Sequence, residues 1–163
     1  MALLFASLDT RLHQRVRFRC GVPALDNYLQ QQAGQHQRDG IATTHVLVDD
    51  ADATRILGYC SLAAAQMNLL ELQPADRKRL PGYPVPAVRI GRLAVSLDGQ
   101  GKGYGRLLLG HAMNCSMLLR AQLGVRVLVV DALNEKAIGF YRAYGFHETS
   151  GHARTLYLLL GQA

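Results

Sequence analysis

A strand-like run, Val85 to Leu97, leads into Gln100-Gly101-Lys102-Gly103-Tyr104-Gly105-Arg106, and a helical stretch, Arg106 to Leu123, follows at once. This loop constrains the fold more than any other feature. Glycines at alternate positions let the backbone turn successive N–H groups toward one point, and the next helix adds its positive dipole end. Such a turn suits a phosphate. The helix carries an apolar stripe over Leu108, Ala112, Cys115 and Leu119, and Gly124 reads as its C-terminal cap. Val125 to Val130 is a β-branched run that reads as a buried strand. Strand, helix and strand in that order predict a parallel pair.

Upstream, Leu25, Tyr28, Leu29 and Ala33 recur at helical steps with Pro23 in the first turn, which predicts a helix over residues 22–37. Ile41 to Val48 and Arg55 to Met67 predict a hairpin turning at Asp49-Asp50, with Gly58 as a weak point or bulge. Residues 69–87 are irregular, punctuated by Pro74, Pro81, Gly82, Pro84 and Pro86. A short helix around Ala75–Leu80 there would expose Arg77-Lys78-Arg79. Downstream, Asn134 caps a helix reaching Tyr144, Gly145 stops it, and Leu156 to Leu160 makes a final strand. An antiparallel hairpin beside a parallel pair implies a mixed α/β (α+β) sheet flanked by helices, in one domain over residues 1–163.

The 163 residues hold 18 Lys+Arg against 12 Asp+Glu, a net charge of +6. Only Lys78, Lys102 and Lys136 are lysines, so arginine dominates. That balance favours an anionic partner such as a nucleotide, RNA or an acidic protein. No apolar run nears the ~20 residues of a membrane helix. The apolar start, Met1 to Leu8, lacks a basic leader, so no signal peptide is expected. Cys20, Cys60 and Cys115 are odd in number and far apart, which fits a reducing cytoplasm rather than a disulfide framework. The histidines show no HxxxH or HxH pattern, so no metal is expected.

The loop lacks both the Walker GxxxxGK[ST] and the Rossmann GxGxxG patterns. Gln100, Gly103 and Gly105 instead spell Q-x-x-G-x-G, preceded by Arg92-Leu93-Ala94-Val95. One strand later, Asn134, Ala137, Phe140-Tyr141 and Gly145-Phe146 spell N-x-x-A-x-x-F-Y-x-x-x-G-F. The two motifs in this order resemble the GNAT (Gcn5-related) N-acetyltransferases. Phe18, Cys20-Gly21, Leu25 and Tyr28-Leu29 add F-x-C-G-x-x-x-L-x-x-Y-L, which resembles the opening of the GNAT-type toxins of type II toxin–antitoxin systems. The similarity runs from about Phe18 to Leu160. It implies a GNAT fold with a V-shaped splay between the fourth and fifth strands. It also implies acetyl-CoA as donor, the α-amino group of aminoacyl-tRNA as acceptor, and inhibition of translation. A cognate antitoxin, of ribbon-helix-helix type, and a homodimer are further implications. The same resemblance sets the backbone of Leu93, Ala94 and Val95 along the pantetheine arm. It sets the amides of Gln100, Gly101, Lys102, Gly103, Tyr104, Gly105 and Arg106 around the pyrophosphate. Asn134 then contacts the pantetheine, and Tyr141 stands near the CoA sulfur.

Acetyl transfer from a thioester to an amine needs a neutral amine, a polarised carbonyl and a proton for the leaving sulfur. Tyr141 is the candidate general acid, since a phenol with a pKa near 10 keeps its proton at neutral pH. It follows Asn134 by nearly two helical turns, which puts both on one face. Tyr144 reads as packing, and Phe140 and Phe146 as core. No general base stands out among Glu71, Glu135, Glu148, His111 and His147. An α-amino group, with a pKa near 8 that esterification of its carboxyl lowers further, needs little help in losing a proton. A site with an acid and no evident base is therefore compatible with an aminoacyl ester. Arg77, Lys78, Arg79, Arg89 and Arg92 are candidate tRNA phosphate contacts. Arg11, Arg15, Arg17 and Arg19 form a second cluster, or the outer face of a strand. Two other readings stay open: acetylation of a small amine or protein N-terminus, and a non-catalytic CoA- or RNA-binding regulatory module.

Overall fold

The computed structural model describes residues 2–80, 82 and 84–161; Pro81, one of the punctuating prolines, lies outside them. The strands are β1 (Leu3–Ser7), β2 (Thr43–Asp49), β3 (Gly58–Met67), β4 (Val85–Val95), β5 (Val127–Asp131), β6 (His147–Glu148) and β7 (Thr155–Leu159). The α-helices are α1 (Pro23–Asn27), α2 (Ala33–Arg38), α3 (Pro74–Arg77), α4 (Tyr104–Arg120) and α5 (Glu135–Ala143). Among the described residues the strands form one sheet in the order β1-β2-β3-β4-β5-β7-β6. It is mixed, as expected: β4 and β5 are parallel, and the hairpin is antiparallel. The chain divides into two compact units, Met1–Ala63 with Gly91–Ala112, and Ala64–Ile90 with Met113–Ala163.

In the first unit, β1 is an edge strand that sequence reading did not assign. It pairs antiparallel with β2, from Leu3 opposite Asp49 to Ser7 opposite His45. The predicted hairpin is present, with Thr43 opposite Leu62 and Leu47 opposite Gly58. Gly58 opens β3 rather than bulging it. A Cβ there would stand 2.8 Å from Leu108 Cδ1 and 2.9 Å from the Ala94 carbonyl oxygen, so close approach requires the glycine. The predicted first helix is broken into α1, a π-turn over Tyr28–Gln32, and α2. The wide turn buries the consecutive residues Tyr28 and Leu29. They join Phe18, Ala33, Val46, Val48, Ile56 and Tyr59 in one core cluster. Each large apolar side chain buried there contributes about 1.5–3 kcal/mol. The buried Tyr59 hydroxyl donates to the Leu25 carbonyl at 2.6 Å, and buried Asp26 accepts the Cys20 N–H at 2.9 Å. Arg15–Arg17 form a 3-10 turn, so Arg11, Arg17 and Arg19 do not line a strand.

In the second unit the parallel register runs from Ala87 opposite Val127 to Ile90 opposite Val130. β7 pairs antiparallel with both β5 and the short β6, the latter also absent from the sequence reading. Val127 to Val130 are fully buried, which explains an apolar run without alternation. Tyr157 donates its hydroxyl to Asp76 Oδ2 at 2.5 Å and accepts the Gln73 N–H at 2.8 Å, which pins α3 to β7.

α4 runs through both units. Its most buried residues are Leu108, Leu109, Ala112 and Ser116, while Cys115 and Leu119 are half-buried, so the buried stripe is rotated from the expected one. Gly124 is not a left-handed cap. The helix stops at Arg120, whose guanidinium donates to the Val125 carbonyl at 2.6 Å across the turn. Gly145, at φ +92°, does end α5 as predicted.

Candidate active site

The glycine loop lies in the first unit. β4 delivers Arg92, Leu93, Ala94 and Val95 to Ser96, a 3-10 turn over Leu97–Gly99 follows, and Gln100 begins the loop. Backbone hydrogen bonds hold this approach: Ser96 N–H to the Leu57 carbonyl at 2.9 Å and Leu97 N–H to the Arg19 carbonyl at 2.8 Å. Ser96 Oγ donates to Asp98 at 2.9 Å, and Asp98 also pairs with Arg55.

Gln100 explains its place in the motif. Its Nε2 donates to the Cys20 carbonyl at 2.9 Å and to the Val95 carbonyl at 3.1 Å. The glutamine therefore ties the loop to the F-x-C-G segment and to the end of β4. Gly101 and Gly103 sit at φ +82° and +83°, and a Cβ on either would meet open space. Backbone conformation alone thus requires glycine at these two positions. Leu107 N–H takes the Gly103 carbonyl at 3.2 Å. The N–H groups of Tyr104, Gly105 and Arg106 come earlier and have no acceptor inside the helix. Lys102 and Arg106 are exposed beside them. Free amides at a helix start, beside two cationic side chains, are donors of the kind that suit a phosphate.

In the second unit, Asn134 is the N-cap of α5, and its side chain accepts the Ala137 N–H at 2.9 Å. The cap occupies its carbonyl oxygen; its NH2 group is the donor it can offer to a ligand. Tyr141 is buried at 5% exposure, with its ring edge-on to Phe140 at 5.2 Å and Phe146 at 5.5 Å. Phe146 is core, as expected. Phe140 is only half-buried, and the exposed Tyr144 packs on it at 5.2 Å.

The cationic candidates separate by what they touch. Arg89 makes a two-oxygen ion pair with Asp131, at 2.6 and 2.7 Å. Arg77 donates to the carbonyls of Leu72 at 2.9 Å and Leu70 at 3.1 Å. Lys78 and Arg79 are exposed. Arg92 lies 3.6 Å above the ring centroid of Tyr28, a cation–π contact. The Tyr28 hydroxyl meets His36 Nδ1 at 3.0 Å. Burial pushes the Tyr28 phenol up, and the Arg92 charge partly offsets this.

Sequence reasoning missed Arg120 and Arg126. Arg126 donates to the Leu160 carbonyl; burial first, then the charges of Arg120 and Arg79, lower its pKa, and Asp76 partly offsets this. Arg17, Arg19 and Arg55 line a cleft of about 530 Å³ beside Ser96 and Leu97, with Asp52 and Asp98 among its walls. Two carboxylates considered as bases have structural partners. Glu71 closes a capping box with Asn68, and Glu148 pairs with Arg142.

The model of the acetyltransferase (GNAT) domain family matches residues 40–148. The tRNA-acetylating toxin of Mycobacterium tuberculosis (strain ATCC 25618 / H37Rv) is 30% identical over 146 residues, covering 90% of this chain and 86% of that protein. Among solved structures, AtaT complexed with acetyl-methionyl-tRNAfMet matches with a TM-score of 0.90 at 30% identity, covering 97% of this chain and 95% of that one. A mutant AtaT toxin bound to the C-terminus of the antitoxin AtaR and acetyl-CoA matches with a TM-score of 0.82 at 28% identity, covering 96% and 92%. The chain belongs to the GNAT acetyltransferase family.

Proposed function

We propose that this chain is an acetyl-CoA-dependent toxin that acetylates the α-amino group of aminoacyl-tRNA and so blocks translation, acting as one domain over residues 1–163. The observation that carries this reading is nearly full-length similarity to a tRNA-acetylating toxin, and the positive φ of Gly101 and Gly103 in the loop supports it. The amides of Gln100 to Arg106 hold the pyrophosphate, with Lys102 and Arg106 adding charge. The backbone of Leu93, Ala94 and Val95 runs along the pantetheine arm. The Asn134 NH2 donates to that arm. Tyr141 holds a proton at its Oη for the leaving sulfur. As the amine nitrogen bonds to the acetyl carbon, the C–S bond breaks, the sulfur takes the Tyr141 proton, and the surplus amine proton passes to solvent. The phenol regains its proton from solvent. A substrate amine that is already largely neutral makes a protein base unnecessary.

Lys78, Arg79 and Arg92 contact the acceptor arm of the tRNA, with Arg77 and Arg89 in supporting positions. The same basic surface suits an acidic segment of a cognate ribbon-helix-helix antitoxin, and the working form is a homodimer. Action on charged tRNA places the protein in the cytoplasm, and no described helix is long and apolar enough to cross a membrane. The test is direct. The protein is incubated with labelled acetyl-CoA and total charged tRNA, and label is sought on the aminoacyl group. Label on a subset of aminoacyl-tRNAs is expected. Label confined to small amines or protein N-termini would overturn the tRNA assignment.

A further inference from the structure

Two histidines that sequence spacing could not connect meet in the first unit. His45 on β2 and His111 on α4 bring Nδ1 and Nε2 to 2.9 Å. Their rings are tilted at 56°, with centroids 4.9 Å apart. Phe5 on β1 stacks on His111 at 4.1 Å and 10°, which fixes that ring between an aromatic face and its partner. Both rings are half-buried. The pair has no place in the acetyl-transfer scheme.

We propose that His45 and His111 form a binding site for a divalent transition-metal ion of the zinc class, joining β2 to α4. The geometry needs little change. Zinc–nitrogen bonds of 2.0–2.1 Å in a tetrahedral site set two ligating nitrogens about 3.3 Å apart. The two nitrogens thus separate by only a few tenths of an ångström, and each ring turns in its plane by about 35° so that its lone pair meets the ion off the line between them. A supporting group sets the tautomer of His45. Thr43 Oγ1 lies 3.5 Å from the Leu62 carbonyl, to which it donates, and 3.3 Å from His45 Nε2. The hydroxyl then accepts from Nε2–H, which leaves the Nδ1 lone pair directed at His111, the arrangement by which outer partners orient metal-binding imidazoles. His111 gives up Nε2–H by shifting its proton to Nδ1, so the pair stays neutral. Burial disfavours the protonated form of both rings, and neutral imidazole is the ligand form. Along α4, Cys115 follows His111 by four residues, a spacing that sets a further soft donor on the same helix face.

The test uses tag-free, chelator-dialysed protein titrated with Co²⁺ and then Zn²⁺. One equivalent of Co²⁺ should give visible d–d bands, Zn²⁺ should bleach them, and one equivalent of Zn²⁺ should shift the ring nitrogens of both histidines. Saturating Zn²⁺ should raise the thermal midpoint by about 5 °C or more. H45N and H111N should abolish the bands. T43V keeps both imidazoles and should weaken binding about tenfold. Ring nitrogens unmoved by Zn²⁺, no saturable binding below about 100 μM, or undiminished binding in both histidine variants would each overturn the proposal.

Discussion

Tyr141 is a packing residue that the proposed mechanism also gives a chemical role. At 5% exposure, with two phenylalanine rings at its edge, it contributes much of its worth through its ring. In the proposed mechanism only the hydroxyl serves the reaction. Tyr141→Phe keeps the ring and removes the donor. The acetyl-transfer rate should fall about 10²–10⁴-fold, while the acetyl-CoA dissociation constant and thermal midpoint stay close to wild type. Single-turnover kinetics beside a calorimetric titration make the comparison. An unchanged rate would remove the phenol from the mechanism, and a matched loss of binding would make it a packing residue. Gln100 teaches the reverse lesson at the same scale. A motif residue adjoining a phosphate loop spends its side chain on the protein's own Cys20 and Val95 carbonyls. What it offers a ligand is the loop's shape.

At the scale of elements, local chemistry made some boundaries readable and hid others. The Asn134 cap and the Gly145 stop were legible because each rests on one residue's own preference, and both are present. The hairpin and the parallel pair followed from alternating and continuous apolar runs. β1 was missed because Leu3-Leu4-Phe5-Ala6 does not alternate, and β6 because two residues carry no period. The π-turn was invisible because it depends on burying Tyr28 and Leu29 together. The turn at Gly101 and Gly103 was readable from the glycines themselves, whereas the His45–His111 pair depends on contact between residues 66 apart in the chain. Asn134 allows the observed cap to be separated from the proposed pantetheine contact. Asn134→Ala should lower stability by about 1 kcal/mol through loss of the cap. Asn134→Asp restores an acceptor for the Ala137 N–H, so it should recover the thermal midpoint. It lacks the NH2, so acetyl-CoA affinity should remain reduced. Full recovery of affinity in the aspartate variant would confine Asn134 to capping.

For the whole molecule, the net charge of +6 acquires a distribution. A pyrophosphate held by backbone amides, as proposed, leaves the arginine excess available for something larger. Contacts divide that excess. Arg89 is neutralised by Asp131, Arg77 is engaged by two carbonyls, and Arg92 is held over Tyr28. Lys78 and Arg79 are solvent-exposed just beyond the end of α3, whose position Tyr157 fixes through Asp76 and Gln73. A polyanion bound by such a surface releases counterions, so its affinity should fall steeply with salt, with each phosphate contact adding roughly 0.7–0.9 to the slope of log K against log salt. The double variant K78A/R79A should therefore lower that slope by about 1.5 and weaken binding to all tRNAs alike. R89A should change the slope less, because its charge is already met by Asp131, and it frees a carboxylate that repels the backbone nearby. Filter binding of one acylated tRNA from low to moderate salt provides the measurement. A flat response in the wild type would refute the basic surface as the tRNA contact. A larger slope change in R89A than in K78A/R79A would move that contact from the end of α3 to the side of β4.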